Sequence, residues 1–391
     1  MFIKRVLRKI RSIIAGLEKR YCGMKIPRLV EMKPLGRYRA THISAFSKGN
    51  AGDTLLPVIL RDLFNISIGV RKWHSVHVYD VVTSRLIKKF NHDDFLVIGG
   101  GGLFLTDTNP NDLSGWQWSC SIPALKEIDA PIIAFALGYN RFRGQEEFKP
   151  VFTEHLNLFV EKAIFVGIRN HGSIEKLKSY LKTDALRDKL VYQPCMTTLI
   201  SKIYPDLFDY SHKEDFVAFN CAFDRSTLRS FDDTCCESIA RVALEMSKRT
   251  KVKYYSHGMN DTKILPYFDS VGVKYELVEF KNVEQIVREY CRPRLVIGMR
   301  GHAQMIPFGC GTPILSIVSH DKMQWFIDDI NHPEWGADIM DKDFESKLLQ
   351  KAVHQYEDYE NCMKAIEEEK KRLWKITTEN MKFINQKLNS K

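Results

Sequence analysis

No apolar run in this 391-residue chain is long enough to span a bilayer. The N-terminal segment also lacks the continuous hydrophobic stretch of a signal peptide, because Lys and Arg interrupt it. Nine cysteines (22, 120, 195, 221, 235, 236, 291, 310 and 362) are odd in number, scattered and free of any Cys-x-x-Cys pair. That excludes a disulfide framework and a zinc ribbon, and it suits a reducing, cytoplasmic compartment. No His, Asp, Glu or Cys cluster has metal-ligand spacing, so no metal is expected. There is no Gly-x-Gly-x-x-Gly and no Walker Lys-Ser/Thr, which leaves little basis for a nucleotide site. Short repeats and low-complexity segments are missing as well.

What is present is an ordinary globular composition, 44% hydrophobic and 27% charged, in a chain too long for one core. Two domains are expected. The net charge of +10 is confined to residues 1–40, where twelve Lys and Arg face only Glu18 and Glu31. The other 351 residues carry 46 charges of each sign, so no basic face for nucleic acid is expected. Within the tail, Phe2, Ile3, Val6, Leu7, Ile10, Ile13, Ile14 and Leu17 recur at helical spacing, with Lys4, Arg5, Arg8, Lys9 and Arg11 between them. This pattern over residues 1–22 fits a helix lying on an anionic membrane surface, or alternatively one packing on a partner.

Apolar runs alternate with helical patterns along the rest of the chain. Strands are expected at 38–46, 77–81, 94–98, 130–137 and 163–168, and again at 216–220, 252–256, 295–297 and 313–318. Such alternation implies parallel sheets. The fold expected is α/β, with two Rossmann-like (GT-B-like) domains facing a central cleft and a C-terminal helical extension. The boundaries are 1–36 for the basic helix and linker, 37–200 and 201–340 for the two domains, and 341–391 for the extension.

The chemistry-bearing residues gather at strand ends, where open α/β sheets bind ligands. Arg300 and His302 follow Leu295-Val-Ile-Gly298 and place a fixed cation two residues from a titratable ring. In Gly49-Asn-Ala-Gly-Asp53, the residues Asn50, Gly52 and Asp53 open a helix whose free N–H groups attract anions. Asp53 could equally cap that helix. Gly100, Gly101 and Gly102 lie in a four-glycine run that lets backbone approach a ligand. Arg169, followed by Ser173, is a second strand-end cation, and two arginines from facing domains could clamp a dianion. His257 is either a further site residue or a structural histidine. Trp116, Trp118, Tyr139 and Trp325 are either sugar platforms or core.

Gly49-Asn-Ala-Gly-Asp53, Gly99-Gly-Gly-Gly-Leu-Phe104, Arg169 with Ser173, Arg300-Gly-His302, and Gly311-Thr-Pro-Ile-Leu-Ser-Ile317 with Lys322 occur in the order seen in bacterial polysaccharide pyruvyltransferases. Over about residues 40–325 the chain resembles that family. The resemblance implies a GT-B-like architecture and transfer of the pyruvyl group of phosphoenolpyruvate to sugar hydroxyls as a cyclic ketal. It implies that Arg300 holds the donor's negative charge and that His302 donates the proton. Arg169 matches a first-domain arginine, and Asn170 stands where the family often has an acid. Phosphoenolpyruvate is then a co-substrate, with no separate cofactor. The acceptor would be a cell-surface glycan or its lipid-linked precursor, met by a cytoplasmic protein peripheral to the inner face of the membrane. Rival readings are a nucleotide-sugar glycosyltransferase on the same frame and a non-catalytic scaffold of a glycan-assembly complex. Deleting residues 1–22 is expected to release the protein from anionic vesicles without abolishing activity on a soluble acceptor. Vesicle binding that survives the deletion would exclude the membrane reading of the tail.

Overall fold

In the computed structural model of the chain the described residues are Leu29, 36–46 and 50–390, so the basic segment 1–22 and residues 47–49 lie outside them. Two six-stranded sheets, all of whose paired strands run parallel, form the frame. The first contains β1 (Tyr38–Ser44), β2 (Val70–His77), β3 (Phe95–Phe104), β4 (Ile132–Tyr139), β5 (Ala163–Ile168) and β6 (Leu190–Tyr192). Its order is 2-1-3-4-5-6. The second contains β7 (Glu214–Asn220), β8 (Lys251–Ser256), β9 (Tyr275–Glu279), β10 (Pro293–Gly298), β11 (Ile314–Val318) and β12 (Gly336–Asp338), in the order 12-11-10-7-8-9. The expected α/β pair of Rossmann-like sheets is therefore what forms. In each sheet the chain leaves the middle in one direction and later resumes on the other side. This creates a switch point between β1 and β3, and another between β7 and β10.

Seven helices position the site: α1 (Ala51–Ser67), α2 (His171–Lys178), α3 (Val283–Cys291), α4 (His302–Gly309), α5 (Asp321–Asp329), α6 (Phe344–Glu357) and α7 (Tyr359–Asn389). Apolar residues on the outer side of each sheet make a separate core. A third core lies between the sheets and joins Leu55, Ile59 and Leu63 of α1, Ile286 of α3 and Phe308 of α4 to Ile366, Leu373 and Ile384 of α7. Helix α7 thus returns from the second sheet to close on the first. There, Gln193 Nε2 donates to Thr377 Oγ1 (3.1 Å), and Asn380 Nδ2 donates to the Tyr192 carbonyl (2.9 Å). Among the described residues no helix is long and apolar enough to cross a membrane.

Several expected elements shift. The second strand is Val70–His77 rather than 77–81, and β6, β9 and β12 were not expected at all. All four are edge strands; β2 and β9 leave Arg71, Lys72, Glu276 and Leu277 in solvent, so their sequences show no continuous apolar run. Strand β3 does not stop at Ile98 but continues through the four glycines to Phe104. The single C-terminal helical stretch is two helices, broken at Asp358. Trp116, Trp118 and Tyr139 are core residues rather than exposed platforms, and Trp325 packs against Gly172. Leu373 is fully buried in the shared core, so Leu373→Ala is expected to cost about 3 kcal/mol. The measurement is the urea midpoint; a loss below about 1 kcal/mol would show that α7 is not integral to that core.

Candidate active site

The two switch points face each other across a cavity of about 370 Å³. Loops after β1, β2 and β3 form one wall, and residues following β7, β10 and β11 form the other. At the start of α1 the Asn50 side chain accepts the Gly52 N–H (3.0 Å), so Asn50 is the cap. Asp53 sits in the first turn without a hydrogen-bond or ion-pair partner among the described residues, and its carboxyl faces the cavity. Gly52 is required because a Cβ there would collide with the His302 ring. In β3, Gly100 and Gly101 adopt φ of 80° and 111°, a backbone conformation that side chains disfavour. Leu56 of α1 packs directly against Gly100, which brings the glycine run and the helix terminus to the same wall.

Arg300 lines the cavity already paired. Its Nε donates to Asp261 Oδ2 (2.8 Å) and its Nη2 to Asp261 Oδ1 (2.5 Å), while Nη1 lies 3.0 Å from Asp224 Oδ1. Asp261 is fully buried, and it also accepts from Asn220 Nδ2 (3.3 Å) and the His257 N–H (3.0 Å). Burial works against the Arg300 charge, but these carboxylates hold its pKa above the ordinary arginine value. Arg229 bonds to Asp224 as well (3.2 Å). Burial also opposes ionisation of Asp224, yet Arg300, Arg229 and Lys322 keep its carboxyl well below the usual range.

Arg169 has the opposite character. It is 7% exposed, lies over Gly138 where a Cβ would collide with its guanidinium, and has no carboxylate within ion-pair distance among the described residues. Its Nε is buried without a partner. Lys322 reaches the same cavity, its ammonium donating among the described residues to Asn140 Oδ1 alone (2.8 Å). Burial lowers the pKa of both cations, as expected of charges held ready for a ligand anion.

His302 opens α4 at the cavity floor, with Nε2 3.8 Å from Cys195 Sγ. Burial, then Arg169 and Lys322, pull its pKa down to about 3. The depressing charges are therefore these two cations and not its sequence neighbour Arg300. Burial pushes Asp53 the other way, up to about 6, against the pull of Arg300, Lys322 and Arg169. Two titratable groups driven apart by their surroundings, beside unpaired cations, can bind an anion and move protons.

A family model for polysaccharide pyruvyl transferase matches residues 50–321. The chain belongs to that family. No curated protein sequence matches it. Among solved structures, a Listeria monocytogenes protein described as a UDP-N-acetylglucosamine 2-epimerase is similar over 85% of this chain and 91% of its own, at 13% identity and a TM-score of 0.53. The Methanocaldococcus jannaschii UDP-GlcNAc 2-epimerase with UDP-GlcNAc and UDP matches over 81% and 92%, at 12% identity and 0.49. MnaA of S. aureus with UDP matches over 84% and 91%, at 13% and 0.47. At these identities the likeness concerns the fold, which is GT-B-like.

In this member of the family the cavity gathers Asn50, Asp53, Gly100, Gly101, Gly102, Arg169, Arg300, His302 and Lys322 from the residues singled out in the sequence. Gly52 lies directly behind His302. Ser173 and His257 lie outside the lining. The Ser173 hydroxyl accepts the Tyr139 N–H (3.0 Å), which fixes the end of β4. His257 bonds to Tyr290 Oη (2.5 Å) behind Arg300, and burial, Arg300 and His302 hold it neutral. Asn170 caps α2 by accepting the Ser173 N–H (2.8 Å). Asp224, Arg225, Arg229, Asp261 and Cys195 were not singled out. Asp224 and Arg225 follow β7, so the strand-end rule applied elsewhere would have found them.

Asp53 yields a stability test. Its folded pKa of about 6 exceeds the carboxylate value of 3.8, so the folded state holds the proton more tightly and loses stability as pH rises from 3.8 through 6. Asp53→Asn is expected to remove this loss and raise stability at pH 7 by about 2 kcal/mol, with no gain below pH 3.8. Equal effects at both pH values in thermal unfolding would contradict the assignment.

Proposed function

We propose that the cleft transfers the pyruvyl group of phosphoenolpyruvate to two hydroxyls of a sugar, in a cell-surface glycan or its lipid-linked precursor. The products are a cyclic ketal and inorganic phosphate. The observation that carries this reading is Arg169, a buried guanidinium with no carboxylate of its own, beside a titratable ring. Phosphoenolpyruvate brings a carboxylate and a phosphate. Arg169 and Lys322 hold these charges, and Arg300, fixed by Asp261, supplies the opposite side.

The donor then changes the acidity of the site. In the empty cleft His302, at about 3, is a poor proton carrier. A bound dianion offsets the Arg169 and Lys322 charges that lower its pKa, so the ring takes up a proton as the donor binds. His302 delivers that proton to the enol methylene, C3 of the donor. The first sugar hydroxyl adds to C2 and gives its proton to Asp53, whose raised pKa makes it a base of suitable strength near neutral pH. The C2–O bond to phosphate breaks with its electron pair on the leaving oxygen. The second hydroxyl closes the ketal on C2, and its proton passes to the departing phosphate, which leaves as hydrogen phosphate. The basic segment 1–22 fits an acceptor held at the inner membrane face.

Incubating the protein with phosphoenolpyruvate and candidate lipid-linked glycans is expected to release phosphate and to add a pyruvate ketal detectable by mass spectrometry. Arg169→Ala is expected to lower kcat/KM for phosphoenolpyruvate about 100-fold or more, with Arg169→Lys intermediate. Nucleotide release from a nucleotide sugar, with phosphoenolpyruvate untouched, would establish a glycosyltransferase instead.

A further inference from the structure

The cavity is chemically unequal from end to end. Across the first sheet, the loop after β2 carries Tyr79 and the end of β5 carries Arg169, four strand positions apart or roughly 19 Å along the sheet edge. The β5 side holds Arg169 and, from the second domain, Lys322. The β2 side is lined by the uncharged Ala45, Tyr79, Leu105, Thr108 and Gln117, and by Arg225 of the second domain, whose Nη2 donates to Thr108 Oγ1 (2.7 Å). The charges near the Tyr79 phenol are Asp53 and the pair formed by Asp107 and Arg225, whose Nε bonds to Asp107 Oδ2 at 2.6 Å and so neutralises it.

Two side chains on this wall have unspent recognition capacity. Gln117 is 4% exposed, and its backbone is pinned at both ends: its N–H donates to the Leu103 carbonyl (3.3 Å) and its carbonyl accepts from Asn109 Nδ2 (2.9 Å). Its side-chain amide lines the cavity without a hydrogen-bond partner among the described residues. An amide open to the cavity can take a ligand hydroxyl as donor and acceptor at once. Tyr79 is half-buried, with a ring that lines the cavity and a hydroxyl that has no partner among the described residues. The turn that presents it is fixed, since the Tyr79 N–H donates to His77 Nδ1 (3.2 Å) and the His77 N–H to Asp80 Oδ2 (3.2 Å).

We propose that Tyr79 and Gln117 form the acceptor subsite, in which an uncharged hexopyranose lies against the Tyr79 ring with a hydroxyl on the Gln117 amide. An aromatic face beside an amide that both donates and accepts suits a neutral polyol. Among the described residues this wall offers no free cation to an acidic sugar. A sugar seated here presents its diol toward Asp53, which lies between the two ends. The assignment rests on the pyruvyl-transfer reading for its reaction, but its binding content does not.

The test uses the full chain with methyl β-D-galactoside, methyl β-D-glucoside and methyl β-D-mannoside as probes. Saturation-transfer NMR reports hexoside binding, and phosphate release from phosphoenolpyruvate gives the two KM values. Binding of at least one hexoside is expected. Tyr79→Ala and Gln117→Ala are each expected to raise its KM tenfold or more, with KM for phosphoenolpyruvate within twofold of wild type. Tyr79→Phe should fall between wild type and Tyr79→Ala, which separates loss of the hydroxyl from loss of the ring or of the fold. Wild-type protein that binds no hexoside, or variants that move the phosphoenolpyruvate KM and leave the hexoside KM unchanged, would overturn the subsite. Phosphoenolpyruvate left intact while hexoside saturation transfer is present and lost in Tyr79→Ala would overturn the reaction and keep the subsite.

Discussion

The site is organised around the ion pair of Asp261 and Arg300. A fully buried carboxylate grips the Nε–Nη2 edge of the guanidinium and also ties Asn220 at the end of β7 and the backbone after β8. Arg300 in turn follows β10, and its N–H donates to Asn220 Oδ1 (3.2 Å). Three strand ends are thereby held to one charge pair. A buried pair of this kind adds little net stability, yet removing one partner costs about 3–5 kcal/mol because the other is left uncompensated. Its value is positional. It fixes where α4 begins, and therefore where the His302 ring stands against Gly52.

Around that fixed point the cations divide into two kinds. Arg300 and Arg229 share Asp224 and are held in fixed geometry, whereas Arg169 and Lys322 have no carboxylate within ion-pair distance among the described residues and keep their affinity for a ligand. The carboxyls divide in the same way. Asp224, paired with arginines, is held strongly acidic, while Asp53, more penalised by burial and without an ion-pair partner among the described residues, has its pKa raised to about 6. A cavity with both kinds of each sign can discriminate between binding a charge and transferring a proton.

Much of this was legible in the sequence, and the failures have physical causes. The central strands were found because burial on both faces makes them continuous apolar runs; Ala163–Ile168 was expected at those bounds. Edge strands, half in solvent, carry no such signal. Arg169, Arg300 and His302 were found because strand ends are where ligands bind, whereas Lys322 came only through the family resemblance. Asp261 is 39 residues from the arginine it holds, and nothing local marks that pairing. Asp53 was open to two readings because Asn50 and Asp53 both suit a helix start, and only the backbone at Asn50, extended at φ −128°, shows which one caps. Ser173, in the first turn of α2, and His257, after β8, follow strand ends but lie behind the cavity, which spacing alone does not reveal.

Helix α7 carries a consequence for biosynthesis. The inner core of the first domain is completed by Leu373 and Ile384, and the Tyr38 hydroxyl near the start of β1 bonds to Asn389 Oδ1 (3.0 Å). Ribosomes deliver residue 38 long before residue 389. The domain made first is thus the one sealed last, and until the final turns emerge it presents an open apolar flank to the cell's chaperones.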